Sequence, residues 1–192
     1  SYLYSQRFLG YNEERQKSER RQSRMAREKE AKTNVMRILD KEKIPYRHYT
    51  YAHDGGAVDG ESVAAMLGLN PAQVVKTLVT RGGNGFFVFV IPVKEELDLK
   101  AAARAVGEKS VSMLHVSELL PTTGYVRGGC SPIGMKKQFP TVIDESCLSF
   151  ETIIFSAGKI GAQVEIAPSA LLALTGGSTA AVTVQIGEGP HE

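Results

Sequence analysis

QVVKTLVTRGGNGFFVFVIPV, Gln73–Val93, decides the fold. Two runs rich in β-branched and aromatic residues, QVVKTLVTR and FFVFVIPV, flank GGNG at Gly82–Gly85. Glycines tolerate the positive φ of a tight turn, so this spacing predicts a β-hairpin.

Outward from the hairpin, strands and helices are mixed. On the N-terminal side, Thr33 caps an amphipathic helix, NVMRILDKEK, which ends before Ile44-Pro45. YRHYTYA (Tyr46–Ala52) alternates as a strand, and DGESVAAMLGL is a helix capped near Asp59 and stopped by Gly68. On the C-terminal side, LDLKAAARAVG predicts a helix from about Asp98 to Val106, SVSMLH a short strand, and VSELL a short helix ending before Pro121. TVIDES, ETIIFSAG and QVEIA are strands, PSALLALTGG is a helix with Pro168 at its start, and AAVTVQI is a closing strand. Regular βα alternation is missing, which argues for an α+β or mixed-sheet domain over a doubly wound one.

The 192 residues suffice for one well-buried domain, and 42% hydrophobic with 23% charged residues is an ordinary globular mix. No apolar run is long enough for a membrane span or a signal-peptide core, so a cytoplasmic location is expected. The net charge of +2 is unevenly placed. Residues 1–43 hold twelve Lys/Arg against seven Asp/Glu, and residues 44–192 hold eleven against fourteen. A nucleic-acid partner would therefore meet a local basic cluster on the domain, not a general field. Residues 1–24 read as a basic extension ahead of Met25, either an upstream or artefactual segment or an RNA-contacting arm. Residues 25–186 form the domain and 187–192 a frayed tail.

Four features carry chemistry. Lys76 interrupts an apolar strand. Alternation sets Val75 and Thr77 on one face and Lys76 with Val74 and Leu78 on the other. A lysine among apolar neighbours either lines a pocket or snorkels at an edge. GGCSPIG, Gly128–Gly134, is a glycine-rich loop stiffened by Pro132; it either presents N–H groups to an oxyanion or phosphate, or is only a turn. Arg127, Lys136 and Lys137 flank it, as a polyanion clamp or as a solvated face. SAGKIG, Ser156–Gly161, is a second glycine-rich turn with Lys159 at its tip. Cys130 and Cys147 are the two cysteines, and free thiols are expected of both. None of the four histidines stands at a zinc-type spacing with a cysteine. No metal or cofactor is expected.

HYTYAHDG, LGLNPAQVVKTLV, LDLKAAARAVG, TGYVRGGCSPIGMKKQFPTVID and SAGKIG, in this order, resemble the YbaK/EbsC family of free-standing Cys-tRNA(Pro) deacylases, relatives of the editing domain of bacterial prolyl-tRNA synthetases. The resemblance spans about Thr33 to Val184. It implies a single compact α+β domain with a curved mixed sheet of six or seven strands flanked by helices. It also implies hydrolysis of cysteine misattached to proline tRNA, or of Cys-tRNA(Cys), with an alanine-removing sibling or a non-catalytic RNA-binding module as alternatives. By the same resemblance Lys76, Gly129 and Ser131 are catalytic, and Tyr51, Asp59, Gly128, Cys130, Pro132, Gly158 and Lys159 bind substrate. Arg127, Lys136 and Lys137 contact tRNA, and prolyl-tRNA synthetase is an implied partner. Two positions depart from the family pattern: Asp59, where some members have an aromatic residue, and Gln163, where relatives often have an acid. The substrate's own thiol is the implied nucleophile, with lysine-activated water as the competing route. Cys130, with no evident histidine partner, is expected to pack behind the loop.

Overall fold

The computed structural model describes residues 13–23 and 32–185. The chain divides into two units, residues 1–32 and 33–192. In the first, residues 13–23 are helical, with an exposed Arg15–Glu19 pair at 3.0 Å one turn apart. The expected start of the domain at Met25 and the tail from 187 lie outside the described residues.

The second unit is the expected α+β domain. Helix α1, Asn34–Lys41, starts where Thr33 Oγ1 accepts from Met36 N, and it buries Val35, Met36 and Leu39. Strand β1 (Arg47–Thr50) follows, then α2 (Gly60–Leu67), capped by Asp59 and closed by left-handed Gly68. Strands β2 (Val75–Gly82) and β3 (Gly85–Pro92) form the hairpin, paired from Val75↔Pro92 to Gly82↔Gly85. Next come α3 (Leu99–Ala105), β4 (Ser112–Met113), α4 (Val116–Thr123) and β5 (Thr141–Asp144). Strands β6 (Ile153–Ser156) and β7 (Ala162–Ile166), helix α5 (Pro168–Thr175) and strand β8 (Ser178–Ala180) complete it.

The strands form two sheets, not one sheet of six or seven. β1-β7-β6 is antiparallel throughout. β4-β2-β3-β5-β8 is mixed, with β5 parallel to β3 and β8 parallel to β5. Among the described residues only an isolated Val74↔Ile154 bridge joins them, because β2 spends its ladder on β3 and touches β6 just before its own start. The largest core cluster lies under the smaller sheet, α1 and α5, with Leu39, Ile153, Phe155 and Leu171 fully buried. Phe87, Phe89, Ile91, Val142 and Val182 fill a second cluster against α3.

Two elements differ from expectation. α4 continues through Pro121 instead of ending before it. The carbonyls at its end still find donors: Thr123 Oγ1 to Leu119 O at 2.7 Å and left-handed Gly124 N to Leu120 O at 2.9 Å. The last strand is Ser178–Ala180, ahead of most of AAVTVQI. Beyond Ala180 the chain leaves β5. Val182 N donates to Asp144 Oδ1, and Val182 O accepts from Asp98 N. That segment buries its valine without joining the sheet.

Candidate active site

The two glycine-rich loops meet. A β-carbon at Gly129 would stand 3.0 Å from Ile160 N and 3.1 Å from Lys159 Cα, so only glycine lets these backbones touch. Gly128 has φ +85°, and a β-carbon there would meet Ala57 at 2.8 Å. Tyr125 pins the far side of the loop by donating to Ile133 O at 2.6 Å. Burial pushes the Tyr125 phenol up to about 12, with a smaller contribution from Cys130.

Beside this junction lies a cavity of about 110 Å³. Val58, Val63, Val74 and Val93 give it an apolar side. Tyr51, Lys76, Thr77, Ser156 and Gln163 give it a polar one, and Gly128 and Cys130 close it. The Tyr51 hydroxyl and Thr77 Oγ1 are buried there with no hydrogen-bond partner. Buried hydroxyls are almost always paired, so two orphans facing one cavity mark a place for a ligand. Lys76 is half-buried, with no ion pair among the described residues. Two larger clefts, of about 650 and 570 Å³, contain none of the glycine-loop residues.

Four of the expected residues therefore come together: Tyr51, Lys76, Gly128 and Cys130. The others stand apart from the cavity lining. The Asp59 carboxylate caps α2, accepting from Ser62 N at 2.9 Å and Ser62 Oγ at 2.7 Å. These bonds, the side-chain one first, hold its carboxyl below the usual range. Ser131 is fully buried and accepts from Ile133 N, and Pro132 is buried beside it. Gly129 N donates to Val126 O at 3.0 Å. Among the described residues no acceptor takes the N–H of Gly128, Cys130 or Ser131. Gly158 has φ +96° and packs on Tyr125, and Lys159 is exposed at the loop tip. Arg127 and Lys137 are exposed, and Lys136 Nζ reaches Pro121 O at 3.5 Å.

Strand alternation did not point to Thr77 or Val75. It holds along β2, where Val79 and Leu78 enter different clusters. Yet Val74 to Thr77 all line the cavity, which happens only past the end or open edge of a strand. β4 pairs with β2 at Thr80 and Arg81 alone, leaving that edge open nearer its start. Cys130 packs against two core clusters while also lining the cavity. Burial pushes its thiol up to about 12, so at neutral pH it is protonated and a poor nucleophile. Both cysteines are free thiols.

An α+β domain with a small polar-and-apolar cavity beside two glycine loops and one unpaired lysine is of the class that binds a small ligand at a loop junction. Residues 55–174 match the model of the aminoacyl-tRNA editing domain, and the chain belongs to that family. It is 50% identical over 163 residues, 84% of this chain and 99% of the other, to an Enterococcus faecalis protein named "Putative Cys-tRNA(Pro)/Cys-tRNA(Cys) deacylase EbsC". A proline–tRNA ligase of Fervidobacterium nodosum is 29% identical over 99 residues, 52% of this chain but 17% of the ligase. A solved structure of "a putative trans-editing enzyme for prolyl tRNA synthetase" superposes with a TM-score of 0.69 at 27% identity, covering 79% of this chain and 95% of that one. Among the described residues no helix is long and apolar enough to cross a membrane.

Proposed function

We propose that this chain is a trans-editing deacylase that hydrolyses the ester of cysteinyl-tRNA(Pro), with cysteinyl-tRNA(Cys) as a second substrate. The observation that carries this reading is the pair of unpartnered buried hydroxyls, Tyr51 and Thr77, beside Lys76 in a cavity of amino-acid size.

Burial holds the cavity's own thiol protonated, which favours a nucleophile that comes with the substrate over Cys130. The cysteinyl sulfur attacks its own carbonyl carbon, and the ester C–O bond breaks. The tRNA ribose hydroxyl leaves with a proton, and the cyclic thiolactone is opened by water to free cysteine. The four-membered ring is strained, so holding the sulfur in line with the carbonyl is the main catalytic task. Orientation of this kind contributes on the order of 7–11 kcal/mol. Tyr51 and Thr77 fix the aminoacyl group, and Lys76 holds the terminal adenosine or phosphate. The free N–H groups of Gly128 and Cys130 face the developing oxyanion, a role worth roughly 3 kcal/mol per donor. Gly129, whose N–H is already used, contributes close approach. Buried Ser131 and Pro132 shape the loop.

The exposed cations Arg127, Lys136, Lys137 and Lys159 lie around the same loops and contact the acceptor end of the tRNA. So few cations confer little choice among tRNAs, which leaves selectivity to a docked prolyl-tRNA synthetase. A cytoplasmic setting goes with this substrate. The test is deacylation of Cys-tRNA(Pro), Ala-tRNA(Pro) and Pro-tRNA(Pro) by wild type and Lys76→Ala. Selective loss of cysteine with wild type is the expected result. Loss of cysteine no faster than in buffer overturns the reading. Retention of prolyl-tRNA synthetase on the immobilised protein only when tRNA is present checks the partner.

A further inference from the structure

Gln163 is 6% exposed and lines the cavity, yet its side-chain amide has no hydrogen-bond partner among the described residues. It sits on β7 between Tyr49 of β1 and Ser156 of β6, its two cross-strand neighbours. Ser156 Oγ is taken by Gly158 N, and the Tyr49 hydroxyl by Glu165. Gln163 therefore points a free amide at whatever enters.

The charges around the cavity are lopsided. Lys76 from β2 is the one residue among the lysines, arginines, histidines, aspartates and glutamates that lines it. Tyr51, at the end of β1, and Cys130, from the glycine loop, are its other titratable groups, and α2, β6 and β7 line it with none. The carboxylate next along β7, Glu165, accepts from Tyr49 and lines a different cleft. Asp59 is committed to capping α2, and His53 covers Gly161 beside Tyr51, outside the lining. Among the described residues no carboxylate lines the cavity to balance an entering cation.

An aminoacyl ester brings an α-amino group, which when protonated is a cation. A small cavity lined by a lysine and by no carboxylate disfavours a second cation. We infer that the cavity takes the substrate's α-amino group in its uncharged form, with the Gln163 side-chain amide as its hydrogen-bond partner. The inference rests on the deacylase reading and deepens it. Gln163 is then a specificity-determining residue, since its side-chain N–H donates to the lone pair that the neutral amine has and the ammonium lacks.

Binding of two non-hydrolysable analogues tests this: 3′-deoxy-3′-(L-alanylamino)adenosine, which has the amine, and its lactoylamino counterpart, which has a hydroxyl there. α-Amino groups titrate near about 7.7–8.0. By linkage, wild-type affinity for the alanyl analogue rises about tenfold per pH unit up to that value and then levels off. The lactoyl analogue shows no such rise, which removes the protein's own titrations from the comparison. In Gln163→Glu the added carboxylate favours the ammonium, and the rise for the alanyl analogue disappears. A wild-type affinity for the alanyl analogue that is flat, or falls, with rising pH overturns the inference. So does an unchanged rise in a folded Gln163→Glu. The wild-type comparison of the two analogues stands even if that variant fails to fold. Deacylation of Cys-tRNA(Pro) that persists beside a flat profile sinks this inference alone. Absence of deacylation together with binding of neither analogue overturns both readings.

Discussion

Gly129 lies against the backbone of Lys159, so close that a β-carbon on the glycine would stand 3.1 Å from Lys159 Cα. The contact joins the two glycine-rich loops beside the cavity. The neighbouring atoms are backbone and cannot rotate away. Gly129→Ala therefore pushes the loops apart by a few tenths of an ångström. The expected result is a stability loss of about 1–3 kcal/mol in denaturant melts. Deacylation should fall at least tenfold at temperatures where the variant is folded. Full activity would show that the loops need not touch.

Lys76 has no carboxylate partner among the described residues, so its removal breaks no ion pair. Lys76→Ala should leave the unfolding midpoint nearly unchanged and lower kcat/KM for Cys-tRNA(Pro) by about 10²–10³, the scale of a lost charge-stabilising group. Lys76→Arg should recover part of that loss. A variant that deacylates normally removes Lys76 from the site.

Cys130 faces the cavity with its thiol pushed up to about 12 by burial. Cys130→Ser and Cys130→Ala should keep deacylation within a few-fold of wild type. Alkylation by iodoacetamide should be slow at neutral pH and accelerate as pH climbs toward the thiol's value, because only the thiolate reacts. Loss of activity in a folded Cys130→Ser would make the thiol a participant.

Tyr125 holds the glycine loop from behind through its bond to Ile133 O at 2.6 Å. Tyr125→Phe leaves that carbonyl without a buried donor, at a cost of about 1–3 kcal/mol. Loosening the loop should raise KM for Cys-tRNA(Pro) more than it lowers kcat. Unaltered thermal unfolding would show that another donor serves Ile133.

What was legible in the sequence was local. Capping residues, left-handed glycines and the GGNG turn act within a few positions, so α1, α2, α3 and the hairpin stand where Thr33, Asp59, Asp98 and Gly82–Gly85 placed them. What needed the fold was long-range. Val182 is drawn away from β8 by Asp144, 38 residues earlier. Thr77 reaches the cavity because β2 has an open edge, which alternation cannot express. Ser131 and Asp59 carry polar groups that suit a site, yet each is spent on a neighbour two or three residues away. Gln163 drew attention as a departure from a pattern. Its importance lies in the partner it lacks, which only the packing reveals.

Asp59 is the sharpest test of that distinction. As a pocket residue it would change substrate affinity when replaced; as a cap it changes only the helix. Its carboxylate takes both the N–H and the hydroxyl of Ser62, and it does not line the cavity. Asp59→Ala should cost about 1 kcal/mol of stability, typical of a lost N-cap, with KM for Cys-tRNA(Pro) unchanged. Asp59→Asn, which keeps the acceptor oxygen, should recover most of the loss. The pH dependence follows from the lowered carboxyl of Asp59. A group depressed on folding stabilises above its unfolded value, about 3.9, and loses that contribution as pH falls through the lower folded one. The stability gap between wild type and Asp59→Ala should therefore be full at pH 6 and shrink on acidification below about pH 4. Urea melts at pH 3, 4 and 6 check this, and a raised KM in Asp59→Ala at unchanged stability would return Asp59 to the substrate site.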